Sequence, residues 1–536
     1  MHDVIVIGGG HNGLVCAILL AREGRRVLVL EQAPRPGGAV FSDEVTVPGA
    51  VHDLFSTNQN TFRGGPVWAR IGADLERLGL RYAHTDAPYS NVFPGGRSLK
   101  VYGDPQRTLA GLREHAVADA DGWAELHGLF GRYAPTIFKG LGTPLPSWQA
   151  AGWAAGALKE LGPSGALRLA QLLLASTRDL GDAYLSTPEA RALMACWGLH
   201  LDFGPDVSGG AMIPFVESFA DMEAGMSIVE GGASRLIDAL CALLAEHGGE
   251  VRTGVDVARI RVEGGRARGV ELASGEPIDA AEAIVASVTP TALYGRLLSD
   301  APVPEAVRRA AGRFTYGPGT MMLHLALSDR VPWEAGEELQ RFAYVHIGPY
   351  VEDLADTYTA ARNGLLPRDP MLVVGQTSTV DPTRAPEGTH VLWVQVRALP
   401  AQIRGDAAGE IAERSWAAAG EPYAERVMAK LERYAPGLGG LVRARAVLTP
   451  ADLERRNPNL VGGDCISGSH HLRQNFLWRP LPGLSRYATP FDGLFMTGAS
   501  TWPGGGVTGI PGMLAAEQVL RGCPPRRRVA RRAAAA

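Results

Sequence analysis

The sequence is poor in cysteine, and its few cysteines form no metal-binding or disulfide pattern. Five cysteines are spread over 536 residues without a Cys-x-x-Cys pair. Such spacing excludes a disulfide framework and favours a reducing compartment. A Ser-His-Asp arrangement, a His-Glu-x-x-His motif and a metal-spaced histidine set are also missing, which argues against hydrolase and metalloenzyme chemistry. We therefore expect no bound metal.

An excess of positive charge is absent as well. The formal net charge is -4, and charged residues make up 20% of the chain. We expect no nucleic-acid partner, because such proteins carry a domain-wide basic surface. The start of the chain has no basic segment followed by an apolar core and a cleavage site, so we expect a cytoplasmic protein.

Long uninterrupted apolar runs are also lacking. The most apolar segment, residues 150–197, is too interrupted to span a bilayer. It is typical of a helical lid over an apolar pocket, of a plain buried helix, or of a segment in peripheral contact with the inner face of a membrane.

What the sequence does contain is the order of a dinucleotide-binding βαβ unit at its start. Residues 4–7 predict a buried strand, residues 14–24 a helix and residues 26–30 a second strand that leads to Glu31. The strand and the helix are joined by a GxGxxG motif, which consists of Gly8, Gly10 and Gly13. A glycine-rich turn is the alternative, but the complete order favours a dinucleotide site.

Each glycine of this motif has a physical role. Gly8 permits a tight turn, Gly10 lets the backbone approach a pyrophosphate at the helix N-terminus, and Gly13 lets the helix pack closely on the strand. The carboxylate of Glu31 accepts hydrogen bonds from ribose hydroxyls in such a unit. We assign two neighbouring polar residues to the same site, Asn12 and Gln32.

The residues that follow Glu31 indicate which dinucleotide is bound. Arg35 and Pro36 precede a double glycine, Gly37 and Gly38, and then Ala39. This segment resembles the extended fingerprint of FAD enzymes of the glutathione-reductase and amine-oxidase type, whose double glycine lies against the cofactor. A surface turn is the alternative. A redox cysteine pair does not follow, so we expect no disulfide reductase chemistry.

A second glycine-rich segment lies near the C-terminus. Residues 494–497 predict a strand, and a helix is predicted from about residue 513 to residue 520. The intervening loop also matches GxGxxG by letter, but too little chain follows for a second nucleotide-binding domain. The resemblance to FAD enzymes implies that this loop belongs to the cofactor site through Gly498, Ala499, Gly506, Val507 and Thr508.

Together these motifs resemble those of the phytoene desaturase superfamily, closest to its carotene ketolase branch, over nearly the whole chain. The matching segments are residues 8–15, 36–39, 47–53, 230–236, 249–255 and 494–512. The resemblance implies an α/β fold with a Rossmann-type FAD-binding domain, an α+β substrate domain and a helical lid. It also implies that backbone amides of the C-terminal loop face the flavin and that the backbone at Val257 holds the adenine.

The resemblance further implies a discontinuous domain arrangement. The FAD-binding domain comprises residues 1–90, 220–300 and 480–522, and the substrate domain comprises residues 91–219 and 301–479. Residues 523–536 predict a disordered basic tail, either solvated or in contact with anionic lipid.

Three residues are candidates for a role beside the flavin. His52 and Asp53 follow the FAD fingerprint at a distance that brings them to the pocket, although a structural histidine is the alternative. Trp502 stands where phytoene desaturases have a histidine in a Thr-His-Pro-Gly-Gly-Gly motif, which weakens a carotenoid assignment. Its indole either caps the flavin, lines the substrate pocket or packs beneath the loop.

Three functions follow from this sequence. The first is an FAD-dependent dehydrogenase or desaturase that acts on an apolar, isoprenoid or carotenoid-like small molecule by hydride transfer to flavin N5. The second is an oxidase of a polar secondary metabolite or an amine, and the third is a flavin-binding scaffold without turnover. A separate nicotinamide domain is not evident, so we expect reoxidation by oxygen, a quinone or another acceptor. The oligomeric state does not follow from the sequence.

Overall fold

The computed structural model describes residues 2–522. The predicted tail at residues 523–536 lies outside this range. The strands are β1 (His2–Ile7), β2 (Val27–Leu30), β3 (Ser42–Asp43), β4 (His52–Asp53), β5 (Tyr82–Thr85), β6 (Tyr89–Phe93), β7 (Arg97–Val101), β8 (Met226–Val229), β9 (Glu250–Arg252), β10 (Val257–Glu263), β11 (Arg266–Leu272), β12 (Pro277–Ala286), β13 (Gly319–Leu327), β14 (Tyr344–Ile347), β15 (Leu365–Leu366), β16 (Leu372–Gly375), β17 (His390–Leu399), β18 (Gly405–Asp406), β19 (Val442–Leu448) and β20 (Leu494–Met496).

Helices connect and cover these strands. They are α1 (His11–Arg22), α2 (Asn60–Arg63), α3 (Pro66–Arg77), α4 (Pro105–His115), α5 (Val117–Leu141), α6 (Trp148–Leu174), α7 (Thr177–Tyr184), α8 (Pro188–Ala195), α9 (Met212–Ala224), α10 (Ser234–Glu246), α11 (Pro290–Ala292), α12 (Glu305–Gly312), α13 (Val351–Arg362), α14 (Thr377–Val380), α15 (Trp416–Tyr434), α16 (Leu438–Leu441), α17 (Pro450–Arg456) and α18 (Ile510–Gly522).

The first large sheet is a mostly parallel sheet that is covered on both faces. Its order is β10-β11-β12-β1-β2-β9, with β20 also paired to β12. Strands β9, β2, β1, β12 and β20 are parallel, whereas β10, β11 and β12 form antiparallel pairs. On one face Val4 and Val6 pack with α1, α10 and α18, and on the other Ile5 and Leu28 pack beneath β10 and β11. Burial on both faces explains why β1 and β2 are nearly continuous apolar runs.

The second large sheet is mainly antiparallel and also has seven strands. Its order is β19-β13-β17-β16-β14-β6-β7, and all neighbours are antiparallel except β14 and β6. Alternate residues of β13 and β17 point to opposite faces, as strand geometry requires. Met321 and Val394 pack against α15, whereas Met322 and Trp393 face the helices α5, α8 and α9. The latter face turns toward the first sheet and toward the candidate site.

A group of helices from α4 to α9 lies over this face. Helix α6 breaks at Gly162, which has a φ of +71° and precedes Pro163. The half before this break is mostly exposed, and Trp148 at its start is 92% exposed. Within residues 2–522, no helix is both long enough and apolar enough to cross a bilayer.

The predicted fold class is confirmed, but two helices begin at other residues than predicted. Helix α1 begins at His11 rather than at residue 14, because Gly10 in an extended conformation is its N-cap. Helix α18 begins at Ile510 rather than near residue 513, since Pro511 is tolerated in a first turn that needs no amide donor. The predicted domain boundaries stay predictions.

Candidate functional site

A cavity of about 1000 Å³ lies between the two sheets. On one side it is lined at the carboxyl ends of β1, β2, β12 and β20, the edge at which open α/β sheets bind ligands. On the other side β13, β14 and β17 contribute to its wall. The cavity therefore has a dinucleotide end, at the first sheet, and a substrate end, at the second sheet.

The glycine motif makes room for a ligand at the dinucleotide end. Gly8 has a φ of +100°, and a Cβ there would lie 3.0 Å from the carbonyl oxygen of Ser287. A Cβ at Gly13 would lie 2.2 Å from the carbonyl oxygen of Gly8. Only glycine permits this close approach of α1 to the turn, which brings the N-terminal amides of α1 to the cavity.

Side-chain groups at this end also fit a dinucleotide. Glu31 is fixed because Oε2 accepts from the Gly9 amide at 2.7 Å and Oε1 accepts from the Ala33 amide at 2.9 Å. The buried Oδ1 of Asn12 and Oγ1 of Thr57 have no hydrogen-bond partner among the described residues, and both residues line the cavity. Buried polar atoms of this kind are normally satisfied, so their orphaned state fits a polar ligand at this end.

The structure brings most of the predicted cofactor residues together on the cavity wall. These are Gly8, Gly10, Asn12, Glu31, Gln32, Gly38, Ala39, Val257, Gly498, Ala499, Gly506 and Val507. Gly13, Gly37 and Thr508 do not line the cavity. The amide of Gly37 donates to the Gly9 carbonyl at 3.0 Å, and Thr508 Oγ1 accepts from the Ile510 amide at 3.1 Å, so both support the turns behind the wall.

The predicted position of His52 and Asp53 in the pocket is wrong. Neither residue lines the cavity, because both lie in β4 and are fully buried elsewhere. His52 Nε2 lies 2.7 Å from Thr46 Oγ1. Asp53 accepts from Arg384 at 2.7 Å, and Arg384 also pairs with Asp381 at 3.2 Å. These residues form a buried ion-pair network that ties β4 to the segment after α14.

Trp502 also lies outside the cavity wall. Its Nε1 donates to the Thr143 carbonyl at 2.9 Å, and its ring centroid lies 5.3 Å from that of Phe476. Its backbone carbonyl accepts from the Tyr487 hydroxyl at 2.7 Å. These contacts agree with packing beneath the loop, and not with an indole that lines the substrate pocket.

The sequence did not single out the residues of the substrate end, although Trp197 ends the apolar segment 150–197 for which a lid over a pocket was one prediction. Aromatic and apolar side chains line this end, namely Phe55, Trp197, Ile213, Met322, Tyr344 and Trp393. The rings of Tyr344 and Trp393 are stacked, with centroids 5.7 Å apart and planes at 6°. These residues come from separated strands and helices, so only the tertiary fold brings them together. The loop at residues 457–460, after α17, is a further part of the wall that was not predicted.

Few ionisable side chains reach the substrate end. Burial raises the pKa of Glu217 above its ordinary value, and the neighbouring Asp221 raises it further. Burial lowers the pKa of His200 well below its ordinary value, and nearby His346 and Arg397 lower it further. Glu217 is thus mainly protonated and His200 neutral at pH 7. Buried Arg397 is the fixed charge on this wall, and it donates to neutral acceptors.

The fold and the cavity define a class of protein: an α/β protein with a βαβ glycine turn suited to a dinucleotide at one end of its cavity and a second sheet at the other end. The model of the family described as flavin containing amine oxidoreductase matches residues 13–515. The chain therefore belongs to this family of flavoproteins.

Curated relatives match this chain over nearly their whole length. The chain is 29% identical to pyridine nucleotide-disulfide oxidoreductase domain-containing protein 2 of Mus musculus, over 97% of this chain and 93% of that protein. It is 28% identical to a limonene dehydrogenase subunit of Castellaniella defragrans, over 97% and 94%. It is 26% identical to the neurosporene-forming phytoene desaturase of Rhodobacter capsulatus, over 96% and 92%.

Solved structures agree with this fold. An oxidoreductase from Methanosarcina mazei superposes with a TM-score of 0.60 at 16% identity, covering 97% of this chain and 99% of that one. A putrescine oxidase variant superposes with a TM-score of 0.59 at 15% identity, covering 97% and 98%. The predicted cofactor and the likeness to phytoene desaturases are confirmed: this protein is an FAD-dependent oxidoreductase.

Proposed function

We propose that this protein dehydrogenates or desaturates an apolar, isoprenoid-type substrate at the substrate end of the cavity. Bound FAD supplies the oxidising power by accepting a hydride at N5. The observation that carries this proposal is the wall of aromatic and apolar side chains around Tyr344 and Trp393, which continues directly from the dinucleotide end. An apolar skeleton buried against this wall gains stabilisation in proportion to the area it removes from water.

The charge state of the wall supports an uncharged substrate. Glu217 and His200 are both mainly neutral at pH 7 for the reasons given above. Arg397 carries a fixed charge on this wall, but its N–H groups already donate to neutral acceptors of the protein. Such a wall does little to offset the cost of removing a charged substrate from water, whereas an apolar substrate has little such cost. The relatives named for limonene dehydrogenase and phytoene desaturase are consistent with an apolar substrate.

Glu217 is our candidate for the proton acceptor of this reaction. Forming a carbon–carbon double bond requires that a hydride leaves one carbon and a proton leaves its neighbour. Glu217 lines the cavity, and Asp221, one helical turn further on α9, is held by the Asn60 side-chain amide at 2.6 Å. The ionised carboxylate of Glu217 takes the proton, so a base with a raised pKa is suited to this step.

An anaerobic ligand panel tests this proposal. The FAD-loaded protein is mixed in turn with isoprenoid and polyene compounds and with amines and polar alcohols, and the flavin absorbance is followed. Bleaching by an isoprenoid or polyene, together with a product two hydrogens lighter, supports the proposal. Bleaching only by amines or polar alcohols overturns it, and so does a flavin that no compound bleaches, as expected of a scaffold.

An amine or polar-metabolite oxidase is a second candidate function, and the Glu217–Asp221 pair favours it. A substrate ammonium beside these carboxyls would ionise them and gain an ion pair. In that case Glu217→Gln would raise the KM of the amine strongly. For an apolar substrate the same variant lowers kcat and leaves KM nearly unchanged, so one variant separates the two functions.

We also propose peripheral membrane contact through the exposed half of α6. Residues 148–158 carry no charge, and Trp148 and Leu158 are 92% and 51% exposed. Lys159 and Glu160 follow directly, so this half of α6 has no net charge, which fits contact through its apolar side chains. We expect the protein to sediment with vesicles that contain phosphatidylglycerol. The double variant Trp148→Ser and Leu158→Ser should bind these vesicles about tenfold more weakly. Leu477→Ser, at another exposed apolar site, should bind as the wild type does. Equal binding by the wild type, the double variant and the Leu477 variant would contradict the proposal.

A further inference from the structure

A chain of hydrogen bonds behind the substrate end fixes the protonation of a histidine on its wall. His200 lines the cavity at the end of the turn that follows α8. Its Nε2 lies 3.2 Å from Nε2 of His346, which is fully buried in β14. Nδ1 of His346 in turn lies 3.2 Å from Oδ1 of Asn91 in β6. This chain runs from the cavity wall into the core.

The direction of each hydrogen bond follows from the innermost residue. The side-chain nitrogen of Asn91 donates to the Ala192 carbonyl at 3.0 Å, which can only accept. Oδ1 of Asn91 must therefore accept, and Nδ1 of His346 carries the hydrogen. Burial lowers the pKa of His346 to about 3, so its ring is neutral and its Nε2 is an acceptor.

The same argument then determines the state of His200. Since Nε2 of His346 accepts, Nε2 of His200 must donate to it. His200 is also neutral, because burial lowers its pKa well below the ordinary value. A neutral imidazole has one N–H, so Nδ1 of His200 has no proton and is a hydrogen-bond acceptor. His200, which lines the cavity, thus has a fixed tautomer with Nδ1 as its acceptor.

The neighbouring guanidinium limits what this lone pair can bind. Arg397 donates to the carbonyls of Leu199, His200 and Leu201, to Thr320 Oγ1 and to Cys465 Sγ. Five acceptors occupy its five N–H groups, so an anion finds no free donor on it. Its positive charge still disfavours a cation beside His200. A neutral hydroxyl, which donates a hydrogen bond without adding charge, fits these conditions.

We propose that His200 accepts a hydrogen bond from a hydroxyl group of the substrate, so that the substrate is an apolar skeleton that carries an alcohol. Trp197, whose ring centroid lies 4.5 Å from that of His200, and Tyr344 at 6.4 Å provide the apolar surroundings of this hydroxyl subsite. His200 is a specificity-determining residue in this scheme. The inference rests on the proposed function, in that the same cavity receives the substrate.

Binding to the prereduced holoenzyme tests this inference without turnover. An isoprenoid alcohol, its methyl ether and the parent hydrocarbon are titrated under anaerobic conditions, and quenching of tryptophan fluorescence gives each Kd. We expect the alcohol to bind about tenfold more tightly than the ether, in line with one additional hydrogen bond.

Three variants test whether His200 causes this preference. His200→Leu should reduce the ratio of the two affinities to below about twofold. His200→Gln should restore part of the ratio, because the glutamine carbonyl accepts a hydrogen bond. His247→Leu, at an exposed position, should leave the ratio unchanged.

Three outcomes overturn the inference. They are equal affinity of the wild-type protein for alcohol and ether, a full alcohol preference in His200→Leu, and an equal loss of preference in His247→Leu. Affinity for the hydrocarbon reports whether each variant keeps an intact cavity. Because the enzyme is already reduced, a failure here is distinguishable from the failure of isoprenoids to bleach the oxidised flavin, which concerns the proposed function alone.

Discussion

The dinucleotide end and the substrate end of the cavity are built by different means. At the dinucleotide end the wall combines exposed backbone with a few polar side chains, and its essential requirement is the absence of side chains at Gly8 and Gly13. At the substrate end the wall consists of side chains such as those of Trp197 and Trp393, which come from distant parts of the chain. The first kind of site leaves a contiguous sequence motif, whereas the second depends on the tertiary fold.

The largest effect should come from the buried ion-pair network of Arg384, which lies outside both ends of the cavity. Arg384→Met leaves the buried carboxylates of Asp53 and Asp381 without their cation. We expect the free energy of unfolding to fall by about 3–5 kcal/mol, as for other broken buried pairs. Denaturant titration measures this loss. Arg309→Met, which removes an exposed partner of Glu305, is the control and should change far less; similar losses in both would contradict the structural role given to Arg384.

The next effect concerns the dinucleotide end alone. Gly13→Val places a side chain where even a Cβ would lie 2.2 Å from the Gly8 carbonyl oxygen. We expect the purified variant to lose FAD, with an affinity at least about 100-fold lower, since the turn and α1 must separate. Gly128→Ala, in the middle of α5 with open space around its Cβ position, should retain the cofactor. Bound FAD is measured by absorbance after gel filtration.

These two ends also differ in how far the sequence predicts them. The strand, turn and helix around Gly10 were predicted because each signal is local, and most residues assigned there line the cavity. His52 and Asp53 were misplaced because distance along the chain does not say which way a strand faces. Glu217 and His200 left no motif, since their role depends on burial and on partners far away in sequence.

The rate of flavin reduction should depend on pH through the substrate end, whereas FAD binding at the dinucleotide end should not. Burial raises the pKa of Glu217 to about 8, so the fraction of ionised base increases as the pH rises from 6 to 9. We expect the anaerobic rate of flavin reduction to rise over this window. Glu217→Gln should lower the rate by about 100-fold and remove the pH dependence, while FAD stays bound. A wild-type rate that falls with pH would contradict Glu217 as the base.

The smallest effect should come from the aromatic wall. Trp393→Leu removes the ring that stacks on Tyr344 and keeps an apolar side chain. We expect the Kd of an isoprenoid ligand to increase by about tenfold, the usual contribution of one aromatic contact, with FAD content unchanged. Trp416→Leu, on the opposite side of the second sheet and away from the cavity, is the matched control. Equal affinity in the Trp393 variant and the wild type would show that the ligand lies elsewhere.

We propose that one cavity holds FAD at its dinucleotide end and an apolar substrate at its substrate end. A single-turnover experiment tests it most directly: the FAD-loaded protein is mixed anaerobically with a slight excess of an isoprenoid substrate, and flavin reduction and product are measured together. We expect one equivalent of product, two hydrogens lighter than the substrate, for each flavin reduced. A flavin that remains oxidised with isoprenoids and polyenes, but is reduced by amines, would contradict it.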